Sequence, residues 1–217
     1  MPRRAALFDM DRTLVRIDTA TLYVRYQRDR GEAGLRDALR VAWWMLKYSF
    51  GFMDAPRIAQ EAMRAFTGKE ERWLEESCKQ WFVDYVLEHV ADAGRRAVRR
   101  HLDDGDLVAI VTGATPYAAE PLARELGIEH VIATHLEVEE GRFTGQVRHP
   151  MSYGEGKVVL TEKLATAHGF SLSEATFYSD SITDLPLLQR VHTPVAVNPD
   201  TRLRRHATKN GWRIETW

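Results

Sequence analysis

The stretch Ala5-Ala6-Leu7-Phe8-Asp9-Met10-Asp11-Arg12-Thr13-Leu14 decides the fold. Its short apolar run reads as a strand buried on both faces, and two carboxylates stand directly beyond it. In open α/β sheets the exit of such strands is where chemistry is placed. If the backbone stays extended through Asp11, alternate side chains share a side, so Asp9 and Asp11 face one site together with the carbonyl between them. That combination offers a nucleophile, an acid/base and a cation site. Taken alone, the same pattern also describes two turn residues at a strand end, where Asp satisfies its own backbone hydrogen bonds.

Three more segments of this kind follow. Leu107-Val108-Ala109-Ile110-Val111-Thr112-Gly113 is a second apolar run, ending in the Thr112 hydroxyl and in Gly113, whose bare N–H an anion can approach closely. Many strands end in Thr-Gly at an ordinary turn, so this run gains its weight from the others. Lys157 follows Gly154 and Gly156 at the start of an amphipathic helix. Such a lysine is usually solvated, yet beside a phosphate it supplies a fixed positive charge. Thr176-Phe177-Tyr178-Ser179-Asp180 again delivers a carboxylate to a strand exit, and Asp184 follows one helical turn later, where an N-cap is the plain alternative.

Acidic pair, threonine, lysine, acidic pair, each at a strand exit or helix start, is an order that chance seldom produces. It resembles the haloacid dehalogenase superfamily of aspartyl phosphatases, with Asp9-Met10-Asp11-Arg12-Thr13 as the first motif, Thr112 as the second, Lys157 as the third and Asp180 to Asp184 as the fourth. Within it the chain is most similar to subfamily IB, which contains phosphoserine phosphatase. The resemblance implies an α/β fold: a doubly wound, Rossmann-like parallel sheet at 1–14 and 91–217, with an all-helical cap of the C1 type inserted at 15–90. It implies a phosphatase working through a phosphoaspartate on Asp9, with Asp11 as general acid and base. Thr112, Gly113 and Lys157 would hold the phosphate oxygens, and Asp184 would orient Lys157 or a metal-bound water. Asp9, the Asp11 carbonyl and Asp180 would hold Mg²⁺, a cation suited to hard oxygen ligands and able to offset the repulsion between a carboxylate and an anionic ester.

The substrate is less constrained. Asp18 lies nine residues past Asp9, where phosphoserine phosphatases carry a glutamate near the substrate's amino group, so Asp18 is a substrate-binding candidate. For the arginine that those enzymes place in the cap, Arg57 and Arg64 are candidates. The fourth motif departs from the phosphoserine phosphatase pattern, with Ser179, Ser181 and Thr183 where Gly, Gly and Asn are expected. The expected partner is therefore a small phosphorylated metabolite: phosphoserine, another amino-alcohol phosphate such as histidinol phosphate, or a lipid-linked phosphate. A phosphotransferase would use the same residues. A receiver-type signalling domain also gathers Asp, Thr and Lys around Mg²⁺, but it is shorter and lacks the helical insertion. A non-catalytic protein of this fold would not need every reactive position filled.

Composition agrees with an ordinary globular chain. The 217 residues suit a core with a small insertion, and a net charge of −1 argues against nucleic-acid binding through bulk electrostatics. No secretory pattern follows Met1-Pro2-Arg3-Arg4, and Cys78, the single cysteine, fits a reducing compartment, so a cytoplasmic location is expected. From Asp18 to Ala91 the pattern turns helical, with helices read at Thr19 to Arg30, Leu35 to Phe50, Pro56 to Phe66 and Glu70 to Val90. The apolar stretch around Trp43-Trp44 is too short to span a membrane and reads as a buried cap helix; the alternative is a patch for a greasy substrate or a lipid surface. After Asp92, strands and helices alternate, interrupted by a hairpin from His135 to Val147 that turns at Glu140-Gly141. Oligomeric state is left open.

Overall fold

The computed structural model describes residues 4–31 and 64–217. The expected helices at Leu35 to Phe50 and over most of Pro56 to Phe66, Trp43-Trp44 and Arg57 lie outside the described residues. Of the latter helix only its end is described, as a single 3₁₀ turn over Arg64–Phe66.

A parallel sheet of six strands forms the core, in the order β3-β2-β1-β6-β7-β8. Its strands are β1 (Ala5–Phe8), β2 (Leu107–Val111), β3 (His130–Ile132), β6 (Ala175–Ser179), β7 (Thr193–Val197) and β8 (Arg213–Glu215). The motif-bearing strand β1 is central, pairing with β2 on one side and β6 on the other, so that Phe8 sits in register with both Ile110 and Tyr178. Alternation then divides the core into two layers. Ala6, Phe8, Val108, Ile110 and Tyr178 pack on one face, while Ala5, Leu7, Ala109, Val111 and Phe177 pack on the other. A sheet covered on both faces explains why β1 and β2 are apolar throughout rather than alternating with polar residues.

The helices are α1 (Thr19–Asp29), α2 (Glu71–Trp81), α3 (Asp92–Asp103), α4 (Pro116–Leu126), α5 (Glu155–His168), α6 (Leu185–Leu188) and α7 (Thr201–Lys209). The helix expected from Glu70 to Val90 is α2 followed by a π turn at Phe82–Val86 and a 3₁₀ turn at Leu87–His89. The wider turn lets the adjacent Trp81 and Phe82, and then Val86, all be buried, which a regular pitch would not allow for one stripe. Tyr23 of α1 packs edge-on against Trp81, and Tyr26 against Tyr85. The backbone at Leu14 to Arg16 runs beside that at His89 to Ala91: Ala91 donates its N–H to the Leu14 carbonyl at 2.8 Å and Arg16 to the His89 carbonyl at 2.9 Å. The hairpin β4 (Leu136–Glu139) and β5 (Arg142–Val147) turns at Glu140 and Gly141, both at positive φ, and accepts the Gly68 and Glu71 amides on its carbonyls. No helix among the described residues is long and apolar enough to cross a membrane.

Candidate active site

Asp9 continues the alternation of β1 and so faces the layer that contains α5. Its N–H donates to the Tyr178 carbonyl at 2.9 Å, carrying the β1–β6 ladder one residue past the strand and fixing the backbone there. Lys157 stands in the first turn of α5, and its buried Nζ donates to Asp9 Oδ1 and to Asp184 Oδ2, both at 2.7 Å. Glycine makes this approach feasible: a Cβ on Gly156 would overlap the Met151 carbonyl oxygen, so no other residue allows the helix to start so close to the preceding loop.

Asp11 reaches the start of α1, where its Oδ1 accepts the Thr19 N–H at 2.6 Å. Asp18 is the N-cap of the same helix: its Oδ1 accepts the Thr21 N–H at 3.1 Å and the Thr21 hydroxyl at 3.3 Å. Thr112 ends β2, with its hydroxyl oxygen accepting the Ala114 N–H at 3.1 Å and its hydroxyl proton left to donate. At Gly113 an added Cβ would lie 3.5 Å from the Ser152 carbonyl, ordinary contact, so its value is the exposed backbone it leaves rather than the space.

On β6, Asp180 follows the strand and Asp184 closes a 3₁₀ turn at Ile182–Asp184. Asp184 occupies the N-cap position of α6 but its side chain makes no cap bond. It is buried instead, receiving Lys157 and also the Ser179 hydroxyl at 2.7 Å. Two supporting residues escape a reading of the sequence. Ser179 is one, legible only as a departure from the glycine expected there. Asp200 is the other: besides capping α7 through Arg202 and Leu203, it accepts the Ile182 N–H at 2.8 Å and donates its own N–H to the Asp180 carbonyl at 2.8 Å. Its helix-starting role is visible in the sequence, but its grip on a distant loop is not.

The site is short of positive charge. Burial raises the Asp9 carboxyl well above its ordinary value, against the pull of Lys157, with Asp184 and Asp180 adding to the rise. Asp11 is pushed up to about 6 by burial and by the nearby Asp18. Asp180 is pushed up to about 7 by burial and by Asp184, with Arg12 opposing. Burial alone would depress the Lys157 ammonium, but Asp184 and Asp9 outweigh it and hold the group above the ordinary lysine value. Asp180 is 8 % exposed, and its carboxylate accepts no hydrogen bond from the described residues. Surplus negative charge on oxygen, with one carboxylate unpaired, fits a divalent cation of the Mg²⁺ kind. No group of three or more His, Cys, Asp or Glu side chains among the described residues could hold a metal. A set of two side-chain carboxylates completed by the Asp11 carbonyl is consistent with that. Of the sequence-derived candidates, Asp9, Lys157 and Asp184 touch directly, and Asp11 and Asp180 interact with them electrostatically. Arg64 is exposed on its 3₁₀ turn.

Comparison with known proteins gives the same answer as the motifs. Residues 6–189 match the family of haloacid dehalogenase-like hydrolases. A phosphoserine phosphatase of Mycobacterium tuberculosis is 34% identical, with 97% of this chain aligned to 70% of that protein. A histidinol-phosphatase of Neisseria meningitidis is 28% identical over 98% of both chains. A crystal structure of a Bordetella pertussis protein of unknown function superposes with a TM-score of 0.92 at 32% identity, covering 99% of each chain. The chain belongs to the haloacid dehalogenase-like hydrolases.

Proposed function

We propose that this protein is a phosphatase of small phosphate monoesters that works through a phosphoaspartate on Asp9. The observation that carries the reading is the buried Lys157 ammonium bound at once to Asp9 and to Asp184. It pairs one oxygen of Asp9 and leaves the other as nucleophile, and it places a fixed positive charge where phosphate oxygens would gather.

In the first half-reaction a carboxylate oxygen of Asp9 attacks phosphorus and the bond from phosphorus to the ester oxygen breaks. The leaving alkoxide takes the proton of Asp11, whose raised affinity for it suits a donor near neutral pH. In the second, water attacks the phosphoaspartate, Asp11 takes back a proton, and the bond between phosphorus and the Asp9 oxygen breaks to release inorganic phosphate. Thr112 O–H, the Gly113 N–H and Lys157 hold the oxygens across which charge spreads. Asp9, the Asp11 carbonyl and Asp180 would hold Mg²⁺, which when bound supplies the charge that lets two anions meet. The segment at 15–90 would act as the cap that selects the ester.

An amino-alcohol phosphate is the substrate class we favour. Two relatives carry the names of enzymes acting on phosphoserine and histidinol phosphate, and the Asp18 carboxylate, at the start of the helix that Asp11 also reaches, would attract a substrate ammonium. The test is a Mg²⁺-dependent screen of phosphoserine, histidinol phosphate, phosphocholine, glycerol phosphate and a lipid phosphate. Preference for an amine-bearing ester, weakened in Asp18→Asn through KM, supports the class; equal turnover of glycerol phosphate removes it.

A further inference from the structure

The segment Asn198-Pro199-Asp200 beyond β7 touches both loops that bear the carboxylates of the site. Asp200 holds the loop of Asp180, and Asn198 holds the loop of Asp11. The Asn198 amide donates from Nδ2 to the Arg12 carbonyl at 3.1 Å and to the Trp217 carbonyl at 3.4 Å, and its Oδ1 accepts the Trp217 N–H at 2.9 Å. Arg12 follows Asp11 directly and has φ +56°, a left-handed turn that residues with a Cβ avoid unless their surroundings impose it. The base of this turn is closed by the Val15 N–H on the Met10 carbonyl at 2.9 Å, and Asn198 fastens its apex. Asn198 is itself at φ +43°, where Asn and Asp are tolerated better than other side chains. The Trp217 ring meanwhile packs against Phe8 and Tyr178, the residues whose strands present Asp9.

We propose that Asn198 is a positioning residue for Asp11. By fixing the Arg12 carbonyl it sets the direction from which the Asp11 carboxyl meets the leaving oxygen, a role that rests on the reading of Asp11 as acid and base. Asn198→Asp tests this role: it keeps an acceptor for the Trp217 N–H and tolerates the backbone angle, but it loses the Nδ2 donor to the Arg12 and Trp217 carbonyls and sets a negative charge beside them.

The test compares kcat/KM with Mg²⁺ on phenyl phosphate and p-nitrophenyl phosphate for the wild type, Asn198→Asp and Asp11→Asn. A misplaced general acid slows departure of the more basic phenoxide and spares the nitrophenoxide. Asn198→Asp is expected to lose about tenfold on phenyl phosphate and under about twofold on p-nitrophenyl phosphate, at near wild-type melting temperature. If that variant does not fold, Asn198→Gly, which also accepts the positive φ, carries the comparison. No loss, or equal loss on both esters, while Asp11→Asn shows the selective loss, overturns the assignment of Asn198 alone. Equal loss on both esters in Asp11→Asn overturns the acid role of Asp11 and the positioning role with it.

Discussion

Ser179 donates its hydroxyl to a carboxylate oxygen of Asp184 at 2.7 Å, in the buried floor of the site. The same oxygen receives Lys157, so the serine supports the residue that steers the lysine. Removing the hydroxyl leaves Asp184 with one fewer donor and the Ser181 N–H without its acceptor. Ser179→Ala is expected to lose about 1–2 kcal/mol of stability by urea titration, with turnover reduced only severalfold because Lys157 still bridges both carboxylates.

Lys157→Met should do far more. It leaves Asp9 and Asp184 buried without their shared cation, which costs about 3 kcal/mol or more near neutral pH and abolishes measurable turnover. The deficit in metal-free protein should shrink on acidification, since protonating the two carboxylates removes the charge that Lys157 compensated. A deficit independent of pH would mean that packing, not charge, is the role of the lysine.

The pH dependence of metal-free stability has a defined sign. Folded Asp180 keeps its proton up to about 7, against an ordinary value of 3.8. Between those limits the folded state binds more protons than the unfolded one, so this contribution falls as pH rises. Metal-free Asp180→Asn should therefore match the wild type below that window and exceed it in melting temperature at pH about 8. Mg²⁺ should raise the wild type at the alkaline end and leave the variant little changed. A Mg²⁺ response of equal size in both proteins would place the cation elsewhere.

Cys78 lies on the buried stripe of α2, and burial pushes its thiol up to about 12. Iodoacetamide should leave native activity untouched and alkylate the protein only once denaturant opens it. Inactivation of the native protein by alkylation would show that this helix opens readily.

Much of the candidate site is legible in the sequence for one reason: a strand buried on both faces ends at the sheet edge, so the residue after it stands where a site can form. The edge positions of Asp9, Thr112 and Asp180 are read that way, and the turn at Glu140-Gly141 from the alternation on either side of it. What depends on contacts distant in the chain is not legible. Asn198 reaches Arg12 across 186 residues, and no local pattern encodes that pairing; Lys157 reaches Asp9 across 148, a meeting implied by the family resemblance and by no local pattern. Strand β8, with Ile214 as its single apolar residue, carries too short an alternation to read, and it forms because β7 offers it an edge. The π turn after Trp81 is a tertiary choice, made to bury two adjacent aromatic rings.

The most direct test traps the covalent state. Asp11→Asn, incubated with a labelled phosphate ester and Mg²⁺ and quenched in acid, should carry one phosphoryl group on the peptide that contains Asp9, and the Asp9→Asn protein should carry none. Turnover by Asp9→Asn, or label on any other residue, would contradict the account.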